Sequence, residues 1–129
     1  MDATISEGFD RTTFASIARI WGATCVGNPA RGDTFESVEA TLAYGGRIYT
    51  VIADEAVVAV CWITDDGRRL YLHHMAVAPE HQGKGFSKML MAKALELARE
   101  RRRQRQHHRP ARRTVGPLPG EAQLRAGAI

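Results

Sequence analysis

Met75-Ala76-Val77-Ala78-Pro79-Glu80-His81-Gln82-Gly83-Lys84-Gly85-Phe86-Ser87-Lys88 reads as a strand that passes through a glycine-rich turn into a helix. Pro79 closes the strand, because proline cannot donate to a ladder and restricts the residue before it. From Phe86 to about Arg99 the apolar residues Phe86, Met89, Leu90, Ala94 and Leu97 fall on one helical face, with Lys88, Lys93, Glu96 and Arg99 largely opposite. The first N–H groups of a helix are unpaired and carry partial positive charge, and glycines let the backbone approach an anion with no Cβ in the way. Gly83 and Gly85 supply that freedom. Lys84 and Lys88 add charge, and the Ser87 hydroxyl can donate to a phosphate oxygen. The pattern suits a diphosphate. A Walker loop, GxxxxGK[ST], is absent, and the dinucleotide fingerprint GxGxxG would need glycine where Lys88 stands.

Upstream of this stretch, Arg47 to Ala53 and Ala56 to Thr64 are rich in Ile, Val, Tyr and Trp, and Asp54-Glu55 between them has the length of a tight hairpin turn. Asp65-Asp66-Gly67 makes a second turn. Arg69 to Val77 then completes an antiparallel meander of three strands. Two helices precede it. Phe14, Ile17, Ala18, Ile20 and Trp21 mark an amphipathic helix from Arg11 to about Val26, ended by Gly27-Asn28-Pro29. A second runs from an N-cap at Thr34 to Gly45-Gly46. The expected fold class is α/β (α+β), two helices followed by the meander and one long helix.

The chain's 129 residues have room for one core, and the 44% apolar content is ordinary for a globular protein. Its formal charge of +4 divides unevenly. Residues 1–100 hold ten Lys/Arg against thirteen Asp/Glu, while residues 101–129 hold eight Arg and the single acid Glu121. The division predicts a domain over 1–100 and a basic Arg/Pro/Gly-rich tail over 101–129 with too few large apolar residues to bury a core. A mildly acidic domain gives no electrostatic reason to expect nucleic acid, and a nucleic-acid-binding arm is an alternative role for the tail alone. Such a tail is also what a GC-rich gene yields in the wrong frame, so a frameshift or truncation near Arg101 is expected. No apolar stretch is long enough to span a bilayer, and Met1 to Asp10 lack the features of a signal peptide, which predicts a cytoplasmic protein without a membrane partner. Cys25 and Cys61 lack CxxC spacing and read as buried thiols.

With the strand, Ala76-Val77-Ala78-Pro79, Gln82-Gly83-Lys84-Gly85 and an amphipathic helix in that order, the chain resembles the GNAT superfamily of acetyl-CoA-dependent N-acetyltransferases. The resemblance spans about Thr34 to Arg99 and is most specific from Leu70. It implies that Met75, Ala76 and Val77 pair with the pantetheine arm of acetyl-CoA and that Gln82, Gly83, Lys84, Gly85, Phe86, Ser87 and Lys88 hold the pyrophosphate. It implies acetyl transfer to a primary amine of a small molecule or a protein, with no metal. The family's usual acid is a tyrosine on a helix after a fifth strand, and no position beyond Arg101 matches it. A catalytically incomplete acyl-CoA-binding fragment is therefore the alternative to an enzyme, and a homodimer through the open sheet edge is expected.

Proton transfer from the amine asks for a base near the strand. His73 and His74 are the candidates. On a regular strand they point to opposite faces, so at most one faces the acceptor. Other features have plainer readings: Arg31-Gly32-Asp33 is a loop, Trp21 and Trp62 are core residues, and His107-His108 lacks the further ligands of a metal site.

Overall fold

Four strands, β1 (Ala3–Ser6), β2 (Arg47–Ala53), β3 (Ala56–Asp65) and β4 (Leu70–Val77), form an antiparallel sheet in the order β1-β2-β3-β4. Helices α1 (Arg11–Thr24) and α2 (Phe35–Ala43) lie between β1 and β2, and α3 (Phe86–His107) follows β4. This computed structural model describes residues 2–107. Residues 108–129, with the frameshift and basic-arm readings that rest on them and the His108 half of the histidine pair, lie outside the described residues.

Alternation along the central strands builds two cores. Ile48, Val60, Trp62 and Ala76 face α1 and α2, where they meet Ile17, Ile20, Trp21 and Val38. Tyr49, Val51, Cys61, Ile63 and Leu70 face α3, where they meet Phe86, Leu90, Ala94 and Leu97. Both faces of β2 and β3 are thus covered, which explains why these strands read as near-continuous apolar runs. Leu90 is fully buried, and burial of such a side chain stabilises by about 1.5–3 kcal/mol.

The local signals act where the chain pattern places them. The Asp10 carboxylate accepts from Thr13 N at 2.7 Å to open α1, and Thr34 Oγ1 accepts from Ser37 N to open α2. Asp54 and Glu55 both take positive φ, 51° and 64°, as a two-residue I′ hairpin requires.

Four expectations are corrected. The sheet has four strands rather than three: β1 pairs with β2 from Ala3↔Ala53 to Ser6↔Thr50. Cys25 is exposed, because it caps α1 in the left-handed region at φ 60°, while Cys61 is buried as expected. The long helix runs on past Arg99 to His107. Its continuation is anchored by Asp65, whose carboxylate accepts from Arg101 Nη1 at 2.6 Å and from Arg105 Nη2, while Arg105 Nη1 donates to Arg68 O at 2.9 Å. The Asp65 side chain is only 8% exposed, so its charge is neutralised within the fold by arginines that composition assigns to the tail.

The fourth correction concerns β4. Val60 pairs with Ala76 and Trp62 with His73, so two residues, His74 and Met75, oppose the single Cys61. This is a β-bulge, and His74 sits in it at φ 48°. The extra residue breaks the strict alternation that would send His73 and His74 to opposite faces. Both imidazoles lie against Trp62, with ring centroids 5.3 and 5.7 Å from the indole, and 6.3 Å from each other.

Candidate functional site

Between β4 and α3 the chain makes a 3₁₀ turn at Pro79–His81 and then the glycine loop. Gly83 and Gly85 take φ values of 82° and 85°, the left-handed region that glycine enters without strain. A Cβ at either position would meet nothing within 4 Å. Their role is therefore conformational, with open space on the side where a side chain would project. Among the described residues, the N–H groups of Gly83, Lys84, Gly85, Phe86, Ser87 and Lys88 have no protein acceptor, and the first bond closing onto the helix is Met89 N to Gly85 O. A row of free amides beside Ser87 and Lys88, at the positive end of a 22-residue helix, can bind a multiply charged anion.

The loop encloses a cavity of about 330 Å³ lined by Val77, His81, Gln82, Gly83, Gly85, Phe86, Ser87 and Lys88. Gln82 Nε2 donates to Val77 O at 3.2 Å, which ties the loop to the end of β4. Lys84 Nζ lies 3.2 Å from His81 Nδ1. Phe86 turns its ring into the core, so only its N–H is available to an anion. A larger cavity of about 800 Å³ lies near the other end of α3, between Arg68, Leu70, Leu95 and Arg102. It contains none of the loop residues.

On β4 itself, Met75 and Val77 are half-buried on the α3 side, and Ala76 is buried on the α1 side. The bulge at His74 and Met75 places the two histidines in different surroundings. His73 Nε2 lies 2.8 Å from Thr64 Oγ1, and its ring stacks on Tyr71. Burial, and then the neighbouring His74, lower its pKa below the ordinary histidine value. His74 Nε2 lies 2.9 Å from Asp33 Oδ1, while the His74 carbonyl accepts from Trp21 Nε1 at 3.0 Å. Asp33 is held in turn: Asn28 N donates to its other oxygen at 2.6 Å. Burial acts to raise the Asp33 pKa, but the Asn28 N–H and the His74 ring outweigh it and leave the carboxyl below its ordinary range.

Asp33 is the residue that sequence reasoning missed. It stands 41 positions from His74 inside a tripeptide that reads as a plain loop, and no spacing rule links the two. Trp21 and Trp62 are core residues as expected, 2% and 8% exposed.

The family model for the acetyltransferase (GNAT) family matches residues 15–113. Among solved structures, the fold is similar to an acetyltransferase of the GNAT family from Staphylococcus aureus Mu50, with TM-score 0.68 and 17% identity over 78% of this chain and 69% of that one. It is also similar to the PaiA N-acetyltransferase of Thermoplasma acidophilum in complex with coenzyme A, with TM-score 0.62 and 11% identity over 78% and 74% of the two chains. A third is the glucosamine-6-phosphate N-acetyltransferase of Arabidopsis thaliana, with TM-score 0.60 and 13% identity over 78% and 76%. At these identities the likeness shows the fold. No curated protein matches the chain.

Proposed function

The chain belongs to the acetyltransferase (GNAT) family, and from that premise we propose that it transfers an acetyl group from acetyl-CoA to a primary amine of a small molecule or a protein. The observation that carries this reading is the run of unpaired amides from Gly83 to Lys88 at the start of α3, in open space and beside two lysines. These residues fit a pyrophosphate: the amides donate, Ser87 adds a hydroxyl, and Lys84 and Lys88 neutralise charge. Met75, Ala76 and Val77 lead from the bulge to the loop, and their backbone is the edge against which the pantetheine arm is proposed to lie.

Acetyl transfer requires the amine nitrogen to attack the thioester carbonyl carbon, the C–S bond to break, and the amine's proton to move to a base. His73 and His74 are the proposed candidates for that base. The proton that reaches the departing thiolate is assigned to solvent. Tyr49 is buried with its hydroxyl pushed up to about 12, by burial first and Glu7 next. Tyr71 donates its hydroxyl to Asp66 at 3.1 Å in the turn before β4. Neither supplies the acid that family enzymes take from a later tyrosine.

That gap favours a second reading, an acyl-CoA-binding fragment without turnover. Calorimetric titration of acetyl-CoA and desulfo-CoA, run with a thiol-release assay on a panel of amines, separates the two. Binding with thiol release supports the enzyme, binding alone supports the fragment, and no binding refutes both. No helix among the described residues is long and apolar enough to cross a membrane, and free Cys25 and Cys61 fit the reducing cytoplasm proposed as its location. Among the described residues no strand pairs with the outer edge of β4, which leaves it open to a second copy. A homodimer paired through this edge is the proposed assembly, which sedimentation over a range of protein concentrations measures.

A further inference from the structure

The bulge in β4 does more than bring two histidines to one face; it gives them unequal partners. His73 faces a hydroxyl, Thr64 Oγ1. His74 faces a carboxylate, Asp33 Oδ1, at 2.9 Å, with side chains that are 26% and 13% exposed. An ionised carboxylate can only accept, so the His74 nitrogen that meets it carries hydrogen. Neutral His74 then has its proton on Nε2 and a bare lone pair on Nδ1, on the other side of the ring.

Three further contacts keep this geometry fixed. Asn28 N donates to Asp33 Oδ2, and Asp33 N donates back to Asn28 O at 3.3 Å, which closes the loop around the carboxylate. Trp21 Nε1 donates to His74 O. The edges and faces of Trp21 and Trp62 then confine the His74 ring, with centroids 5.1 and 5.7 Å away. A left-handed φ at a non-glycine residue such as His74 costs energy and persists only where its surroundings hold it. The titratable groups that face His74 are Asp33, from the loop before α2, and His73, its neighbour on β4; α1 and β3 present Trp21 and Trp62 to it.

We propose that Asp33 is a positioning residue that holds His74 with its proton on Nε2, so that Nδ1 of His74, rather than either nitrogen of His73, takes the proton from the acceptor amine. The inference rests on the acetyl-transfer reading for its chemistry but not for its first test. In that step the amine N–H bond breaks, its proton joins His74 Nδ1, and the nitrogen lone pair forms the new bond to the acetyl carbon as the thiolate leaves.

The test has a part that needs no variant and no turnover. Long-range ¹H–¹⁵N correlation spectra of the unmodified full chain, labelled on histidine, report which ring nitrogen bears the proton. In its neutral form His74 is expected as the Nε2–H tautomer, and a neutral form that is Nδ1–H or an even mixture would overturn the proposal whether or not the protein is an enzyme. Given an amine that turns over, Asp33→Asn is expected to lower kcat by tenfold or more with KM little changed, because general-base catalysis contributes about 10²–10⁴-fold and an amide at position 33 can present N–H to the ring and reverse the tautomer. Asp33→Glu is expected to restore part of kcat and the Nε2–H signal. A kcat unchanged in Asp33→Asn, or a loss in which the tautomer stays as in the unmodified protein, would overturn the assignment while leaving acetyl transfer standing.

Discussion

The two ends of α3 contrast in how their polar groups are satisfied. At its start, six successive amides from Gly83 to Lys88 have no protein acceptor among the described residues, and the glycines leave open space around them. At its far end, Arg101 and Arg105 are consumed by a single carboxylate, Asp65, and by the Arg68 carbonyl. Charge alone would pick the far end as the site, since the C-terminal half is far richer in arginine. What distinguishes the ends is whether the groups are already paired. A paired buried charge is structure, and an unpaired, exposed row of donors is capacity to bind.

The largest effect should come from closing the open end. Gly85→Glu puts a carboxylate where a phosphate is proposed to lie and forces a side chain into φ 85°, so CoA affinity measured by calorimetry is expected to fall roughly a thousandfold, about 4 kcal/mol. Gly85→Asn sharpens the point, because asparagine tolerates the left-handed region and carries no charge. It should retain most of the binding, and equal losses in both variants would mean that strain rather than charge is responsible.

Next in size is the paired end. Asp65→Ala removes the carboxylate shared by Arg101 and Arg105, leaving Arg105 the Arg68 carbonyl alone, and is expected to lower the stability to urea by about 3 kcal/mol, with CoA affinity of the folded protein unchanged. A loss of CoA binding without a loss of stability would reverse the roles assigned to the two ends. Lys88→Ala, which removes one exposed charge beside the loop, is expected to weaken CoA binding only a few-fold, and less at high salt.

Smallest is a contrast between the two thiols. Cys61 is buried under α3, with its thiol pushed up to about 12 by burial, whereas Cys25 is exposed at the end of α1. One thiol per chain should react with a disulfide reagent in the native protein and two after unfolding. Two reactive thiols before unfolding would mean that the α3-facing core is open.

Much of this was legible in the sequence because it is local. The glycine loop, the Thr34 cap, the Asp54-Glu55 turn and the apolar face of α3 are each set by residues a few positions apart. The features that were not legible depend on distant pairing. β1 is four residues long, Ala3–Ser6, with polar Thr4 and Ser6 in it, and it exists because β2 offers a free edge. The Arg101–Asp65 and Asp33–His74 contacts join residues 36 and 41 positions apart. The bulge at His74 defeats the two-residue period on which any reading of strand faces depends. For the arginines a signal was present: Arg101 and Arg105 are four apart and lie on one face of a continuing helix, which composition alone cannot register.

Whether the start of α3 holds acyl-CoA is read by titrating CoA into the ¹⁵N-labelled full chain and following backbone amide shifts. Saturable shifts are expected at Gly83, Lys84, Gly85, Phe86, Ser87 and Lys88, with the amides around Arg101 and Arg105 unmoved. Shifts centred on the arginine end, or none at the loop at millimolar CoA, would contradict that site.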